Sequence, residues 1–313
     1  MTVLVNEFSW SRTRMKAFGE CRRQYWFVAY GGWGGWEKSA PERTREVYVL
    51  SKIKNRWMWA GEVVHAAVAE ILESYRAGAP GPTIDLRTRM REQWKSSRDR
   101  VYRRPRMAKT CALSEHEFEL SVDDWAEVAD HADRCFRAFR ESPIHAELKS
   151  LERAQWLAIE ELDSFALDGT KIHVKLDAAH RWKDGLRIVD WKTGRSGEES
   201  DPFQLAVYAL YAIDAWQVGP EDVRVVEANL ATGKTFERWV TAQEIFDTRR
   251  KMLESIAEMK GLLQGPPEDN TAAEADYAPT SDPRSCRRCN FRRICPDQPK
   301  EKGASLRDAP ENS

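Results

Sequence analysis

The stretch VKLDAAHRWKDGLRIVDWKTG, residues 174 to 194, constrains the fold more than any other part of the chain. It reads as two strands, Lys171 to Arg181 and Leu186 to Trp191, turned around Lys183-Asp184-Gly185. Side chains two apart on a strand share a face, so Asp190 and Lys192 project together, and the hairpin brings Asp177 beside them. Leu186, Ile188 and Val189 lead into Asp190, which describes a buried strand ending in charge. Buried charge is costly unless it is paired or bound to a metal. Two carboxylates at one point suit a hard divalent cation such as Mg²⁺ or Mn²⁺. An adjacent lysine can orient or help deprotonate a water and offset charge that builds on a phosphate. An isolated Asp-x-Lys is more simply a surface salt bridge; the apolar run and the hairpin partner favour a metal site.

Around this hairpin the pattern is mixed. Ser9 or Ser11 caps a helix carrying Met15, Phe18, Tyr25 and Phe27, and Gly31 to Pro41 reads as a loop. Helices follow over about Asn55 to Arg76, Leu86 to Tyr102 and Glu115 to Arg140, so residues 1–150 are expected to be mostly helical. Ala154 to Leu162 reads as a strand before the hairpin, Asp201 to Trp216 as a helix after it. Val223 to Leu230 and Thr235 to Val240 read as strands, and Glu244 to Leu263 as a last helix. The expected organisation is a helical region over 1–150 and a core over 151–263. A flexible Pro- and Asp-rich linker over 264–283, a cysteine segment over 284–299 and a disordered tail over 300–313 complete it.

Other residues carry weaker signals. Gln204 and Tyr208 are four apart on one helix face. A Gln amide can hold a phosphate or a base edge and a Tyr ring can stack on an unpaired base, although core packing of Tyr208 with Gln204 turned to solvent accounts for the spacing too. His65, in Gly61-Glu-Val-Val-His65, is either an interior histidine or a nitrogen ligand to a metal held mainly by carboxylates. Glu160 and Glu161 both fall on the strand before the hairpin, and alternation does not choose between them. His173 and His180 read as structural.

Cys286, Cys289 and Cys295 place three thiols within ten residues of a segment with little core of its own. That spacing points to metal ligation, with one ligand missing. Cys21 is the best fourth, with Cys111 and Cys135 as alternatives. Zn²⁺ is the simplest occupant of four cysteines, and spacing does not reject an iron–sulfur cluster. Either would tie the N-terminal helix to the C-terminal segment. The net charge of −1 rules out a nucleic-acid binder by bulk charge, so any polyanion site needs segregated charge. Arg87 to Lys109, with ten Lys or Arg against two acidic residues, and Arg284 to Arg293, with five arginines, are the candidates. The N-terminus lacks a signal peptide's pattern and no apolar run is long enough to span a membrane, so a cytoplasmic, intracellular location is expected.

Taken in order, these motifs resemble the RecB-like branch of the PD-(D/E)XK nucleases, especially members with an iron–sulfur cluster such as the AddB nuclease domain and the exonucleases of CRISPR adaptation. The resemblance runs from FSWSRTRMKAFGECRRQYWF through GEVVH, KLD, DWKTG and QLAVY to CRRCNFRRIC. It implies an α/β restriction-endonuclease-like core, a mixed central sheet flanked by helices. It implies that His65, Asp177 and Asp190 hold Mg²⁺ or Mn²⁺ and that Lys192 is catalytic with the two aspartates. Gln204 and Tyr208 would contact DNA, and Cys21, Cys286, Cys289 and Cys295 would hold a [4Fe–4S] cluster. The implied activity is a DNA exonuclease, partnered by helicase, recombination or CRISPR adaptation proteins, and a Tyr208 ring able to stack on an unpaired base points to single-stranded DNA. A DNA-binding structural module of such a complex is the alternative. Where many relatives have glycine two residues before the first aspartate, this chain has Lys175, and Ala178-Ala179-His180 follow that aspartate.

Overall fold

A computed structural model describes residues 5–97, 121–183, 185–194 and 201–296. A two-residue strand, β1 (Ser9–Trp10), leads into α1 (Arg12–Glu20). Ser11, not Ser9, caps α1 by accepting the Arg14 N–H. The single helix expected here is two, because extended backbone at Cys21 ends α1 and opens α2 (Arg22–Trp26), with a π turn over Phe27–Gly31. After the expected loop comes α3 (Glu42–Lys52), which the sequence pattern did not announce. Then come α4 (Arg56–Arg76), capped by Asn55, α5 (Leu86–Ser97), α6 (Val122–Glu141) and the short α7 (Pro143–Lys149). The expected ends of the α5 and α6 segments, 98–102 and 115–120, lie outside the described residues.

The sheet is built from β2 (Trp156–Leu167), β3 (Thr170–Trp182), β4 (Gly185–Lys192), β5 (Val223–Asn229) and β6 (Thr235–Trp239), together with β1. β2 runs antiparallel to β3 along nearly its whole length. The other edge of β3 is shared: β1 pairs in parallel at Ser9 and Trp10, and β4 pairs antiparallel from Ala178 to Trp182. β4 and β5 are parallel, joined by the crossover helix α8 (Pro202–Trp216), and β6 closes the edge antiparallel. The last helices are α9 (Ala242–Lys260) and α10 (Pro283–Arg287). This is the mixed sheet flanked by helices that the motifs implied.

Alternation along β4 explains the layering. Leu186 and Ile188 enter a core shared with α1, α8 and α9, while Val189 and Trp191 enter a second core with α4, α5, α6 and α7. The N-terminal helices therefore pack directly on the sheet. Within residues 264–283, expected as a flexible linker, Ala272 and Tyr277 pack against the first core while residues 264–269 are exposed. Tyr277 is fully buried there between Tyr25 and Tyr30, and Gln264 bridges Thr271. Its polar composition suggested solvent; the aromatic anchor decides its place. No helix among the described residues is long and apolar enough to cross a membrane.

Candidate active site

β3 and β4 pair as far as Ala178 opposite Val189 and then part. One step further along each strand stand Asp177 and Asp190, so the two carboxylates sit at the mouth of a fork. Oδ2 of Asp177 accepts the Trp191 backbone N–H at 2.7 Å, and Oδ1 lies 3.3 Å from Nδ1 of His65 on α4. Oε1 of Glu160 lies 3.0 Å from the same nitrogen. One ligand atom from each of His65, Glu160 and Asp177 falls within 4.8 Å of the other two.

Glu160 reaches this trio because β2 breaks its regularity there. Its φ is +47°, a left-handed conformation uncommon outside glycine. Its neighbours Ile159 and Glu161 pair with Ala178 and Leu176, which sets Glu160 across from Asp177 while Glu161 is exposed to solvent. Strand periodicity left the two glutamates open, and no sequence signal announces a single left-handed residue. Lys175, at the position where many relatives have glycine, pairs with the other oxygen of Glu160.

Asp190 belongs to a second set of contacts. It is 3% exposed, and its Oδ1 accepts the Tyr208 hydroxyl at 3.3 Å and the Gln204 amide at 3.5 Å. Nζ of Lys192 forms an ion pair with Oδ2 at 2.7 Å and donates to Oε1 of Gln204 at 3.0 Å. Lys192 is thus the one cation paired with this buried oxygen among the described residues. Gln204 and Tyr208 are mutually bonded at 2.5 Å. The Tyr208 ring is 7% exposed and packed in the core, so it turns its hydroxyl to the site and has no open face for a base. The ground that a stacking Tyr208 gave for a single-strand preference falls away with that burial. Glu227, unremarked in the sequence, is the register partner of Asp190 on β5 and is also buried.

The electrostatics follow from this crowding. Burial, and then the neighbouring Asp177 carboxylate, pushes Asp190 up to about 7. Burial opposes charge on His65, but Asp177 and then Glu160 outweigh it and raise the imidazole to about 10. Burial likewise opposes charge on Lys192, and Asp190, Glu227 and Asp177 together hold its ammonium above the usual value. The carboxylates thus demand positive charge at the fork. A donor set of one imidazole nitrogen and carboxylate oxygens, with the buried Asp190 carboxylate beside it, fits a divalent cation.

The cysteines form a separate centre. Cys21, Cys286, Cys289 and Cys295 line one small cavity between α2 and the C-terminal segment. Thr280 N–H points at the Cys21 sulfur at 3.4 Å, Phe27 stacks on Phe291 at 4.9 Å, and Asn290 donates to the carbonyls of Leu50 and Ile53. Cys135 is buried on α6 against His131, and Cys111 lies outside the described residues. Among the described residues no three of these sulfurs lie within 4.8 Å of one another. Of the first basic run, Arg87 is paired with Asp130 and Asp133 and Arg89 with Glu70; residues 98–109 lie outside the described part. In the second run, Arg284 pairs with Asp282 and Arg293 with Glu46.

A mixed sheet whose central strands fork around carboxylates, a histidine and a lysine defines the nuclease class to which such sites belong. Residues 9–296 match the family model described as the PD-(D/E)XK nuclease superfamily, and the chain belongs to that superfamily. Gene 69 protein of Mycobacterium phage L5 is 30% identical over 141 residues, 44% of this chain and 44% of the phage protein, so the chain matches less than half the length of that curated relative. A crystal structure from Eubacterium rectale, described as that of a candidate exonuclease, aligns with 96% of this chain and 92% of its own at 13% identity and a TM-score of 0.45.

Proposed function

We propose that this protein is a metal-dependent DNA nuclease that hydrolyses phosphodiester bonds at the β3/β4 fork. The observation that carries the proposal is the convergence of His65, Glu160 and Asp177 on one point, with Asp190 and Lys192 across the fork. His65, Asp177 and Asp190 would hold Mg²⁺ or Mn²⁺, with Glu160 as a further ligand or as the acceptor that orients His65. A divalent ion there would lower the pKa of a bound water and neutralise charge on the phosphate. Lys192, held by Asp190 and Gln204, presents its ammonium where it can hydrogen-bond the attacking water or the phosphate oxygen. Gln204 and Tyr208 keep the Asp190 carboxylate and the Lys192 amine in one geometry and line the path of the DNA strand. The finer reading, an exonuclease in recombination, repair or CRISPR adaptation, is drawn from the order of the motifs; with Tyr208 buried, strand preference is left to the cleavage test below.

The cysteine centre is read as a [4Fe–4S] site held by Cys21, Cys286, Cys289 and Cys295. Four sulfurs lining one cavity suit either Zn²⁺ or an iron–sulfur cluster, and the choice of [4Fe–4S] is drawn from the order of the motifs. Burial pushes the Cys289 thiol up to about 11, and a bound metal would favour its thiolate.

Cleavage of end-labelled single- and double-stranded DNA with Mg²⁺ or Mn²⁺ tests the proposal, comparing the wild type with Lys192→Ala and Asp190→Ala. Activity lost in both variants with fold and iron content retained supports it. DNA binding without cleavage by the wild type would favour the structural-module alternative.

A further inference from the structure

Gln204 is central to the fork, and what fixes it is the N-terminus of α8. Asp201 caps that helix: its Oδ1 accepts the Gln204 N–H at 3.0 Å. The other carboxylate oxygen, Oδ2, receives both Nε and Nη2 of Arg12, each at 2.9 Å. Arg12 opens α1, a helix from a distant part of the chain, and its guanidinium also lies 5.2 Å over the Phe203 ring in the first turn of α8. Phe203 in turn stands edge-on to buried Trp10 of β1. From the sheet, Oε2 of Glu227 accepts the Asp201 backbone N–H at 3.4 Å. The first turn of α8 is therefore held between α1 and the strand next to Asp190. Three residues into it, Gln204 receives Lys192 Nζ and reaches Asp190.

We infer that Arg12 is a positioning residue of the active site, which acts through Asp201 to hold Gln204 in place and thereby sets the position of Lys192. The inference rests on the nuclease function proposed above and concerns the same site. The Arg12–Asp201 pair is about a third exposed on each side, and pairs so exposed contribute little to folding. Its worth lies in geometry, because a shift of about 1 Å in a group that orients a reaction costs up to roughly 100-fold in rate. Arg12 makes no contact with the carboxylates of the fork in this structure, so its influence has to pass along the helix cap.

The test uses the full-length holoprotein and four variants: Arg12→Met, Asp201→Asn, the pair together, and Arg12→Lys. Asn accepts a capping hydrogen bond as Asp does, so Asp201→Asn weakens only the ion pair. Cleavage of labelled DNA is expected to lose roughly tenfold in kcat for either single substitution, with KM changed less than about twofold and Tm unchanged. The double variant should be no slower than the slower single one, because both act on one contact, and Arg12→Lys should recover part of the rate. Losses that multiply in the double variant, or no loss at all, would overturn the inference. A loss confined to KM that grows with salt would make Arg12 a phosphate contact instead. Amide exchange is read in parallel: Arg12→Met should speed exchange over residues 203–206 and leave 209–213 protected. A wild type without cleavage would count against the nuclease function, and the exchange measurement would then still decide whether Arg12 holds α8.

Discussion

Oδ2 of Asp177 accepts the backbone N–H of Trp191 at 2.7 Å, so the carboxylate on β3 is latched to the residue between Asp190 and Lys192. The latch keeps the fork closed after ladder pairing has stopped. It also separates two roles of one side chain. Asp177→Asn keeps an oxygen that can accept the Trp191 N–H but loses the charge that faces His65. The variant is expected to fold and melt close to wild type while cleavage falls by more than about 100-fold at fixed Mn²⁺. Circular dichroism melts beside a metal titration of the cleavage rate check this.

Asp190 is expected to show the opposite sign in stability and activity. Its folded-state pKa of about 7 stands above the ordinary carboxylate value, so the folded, metal-free protein binds this proton more tightly than the unfolded chain. This contribution to stability is full at pH below about 4, is lost as pH rises through about 7, and stays lost above it. Asp190→Asn should therefore raise the Tm of the metal-free protein at pH 8, by on the order of 1–3 kcal/mol of stability, and have little effect near pH 4. The same variant should not cleave DNA. Melts in a chelator at the two pH values measure the effect.

Gly61 lets α4 approach the strand that carries the lysine. A Cβ at that position would stand 2.7 Å from Oγ1 of Thr193, the residue after Lys192. Gly61→Ala is expected to cost about 1–2 kcal/mol and to slow cleavage several-fold by displacing the loop. Thr193→Ala in the same chain removes the obstructing oxygen and should restore most of the rate. Steady-state rates of the single and double variants decide it; a double variant as slow as Gly61→Ala would place the damage elsewhere.

Cys21→Ser is expected to lower iron content and absorbance near 400 nm and to loosen residues 279–296 without disturbing the fork. Limited proteolysis should cut the C-terminal segment of the variant sooner than that of the wild type. Equal iron content in the two proteins would remove Cys21 from the ligand set.

Much of the site was legible because its densest part lies within one hairpin. Asp177, Asp190 and Lys192 are brought together by a turn and by strand alternation, and both act over fewer than twenty residues. Gln204 and Tyr208 followed from helical spacing, but whether Tyr208 offered a ring or a hydroxyl depended on how deeply α8 packs. The anchoring of part of the segment expected as a linker over 264–283 was hidden for a similar reason. Local polarity was read correctly, and the anchoring Tyr277 in its midst finds its partners, Tyr25 and Tyr30, some 250 residues away.

The amino-acid sequence by itself determined what rests on local periodicity: the hairpin, the carboxylate pair with its lysine, the amphipathic helices and the close trio of cysteines. Tertiary structure alone decided which glutamate joins His65, since the left-handed turn at Glu160 is imposed by pairing with β3. It also decided that Cys21 meets the C-terminal cysteines and that Arg12 meets Asp201. Those contacts join residues from 95 to more than 250 positions apart, where no spacing rule operates and only the packing of helices on a twisted sheet sets the distance.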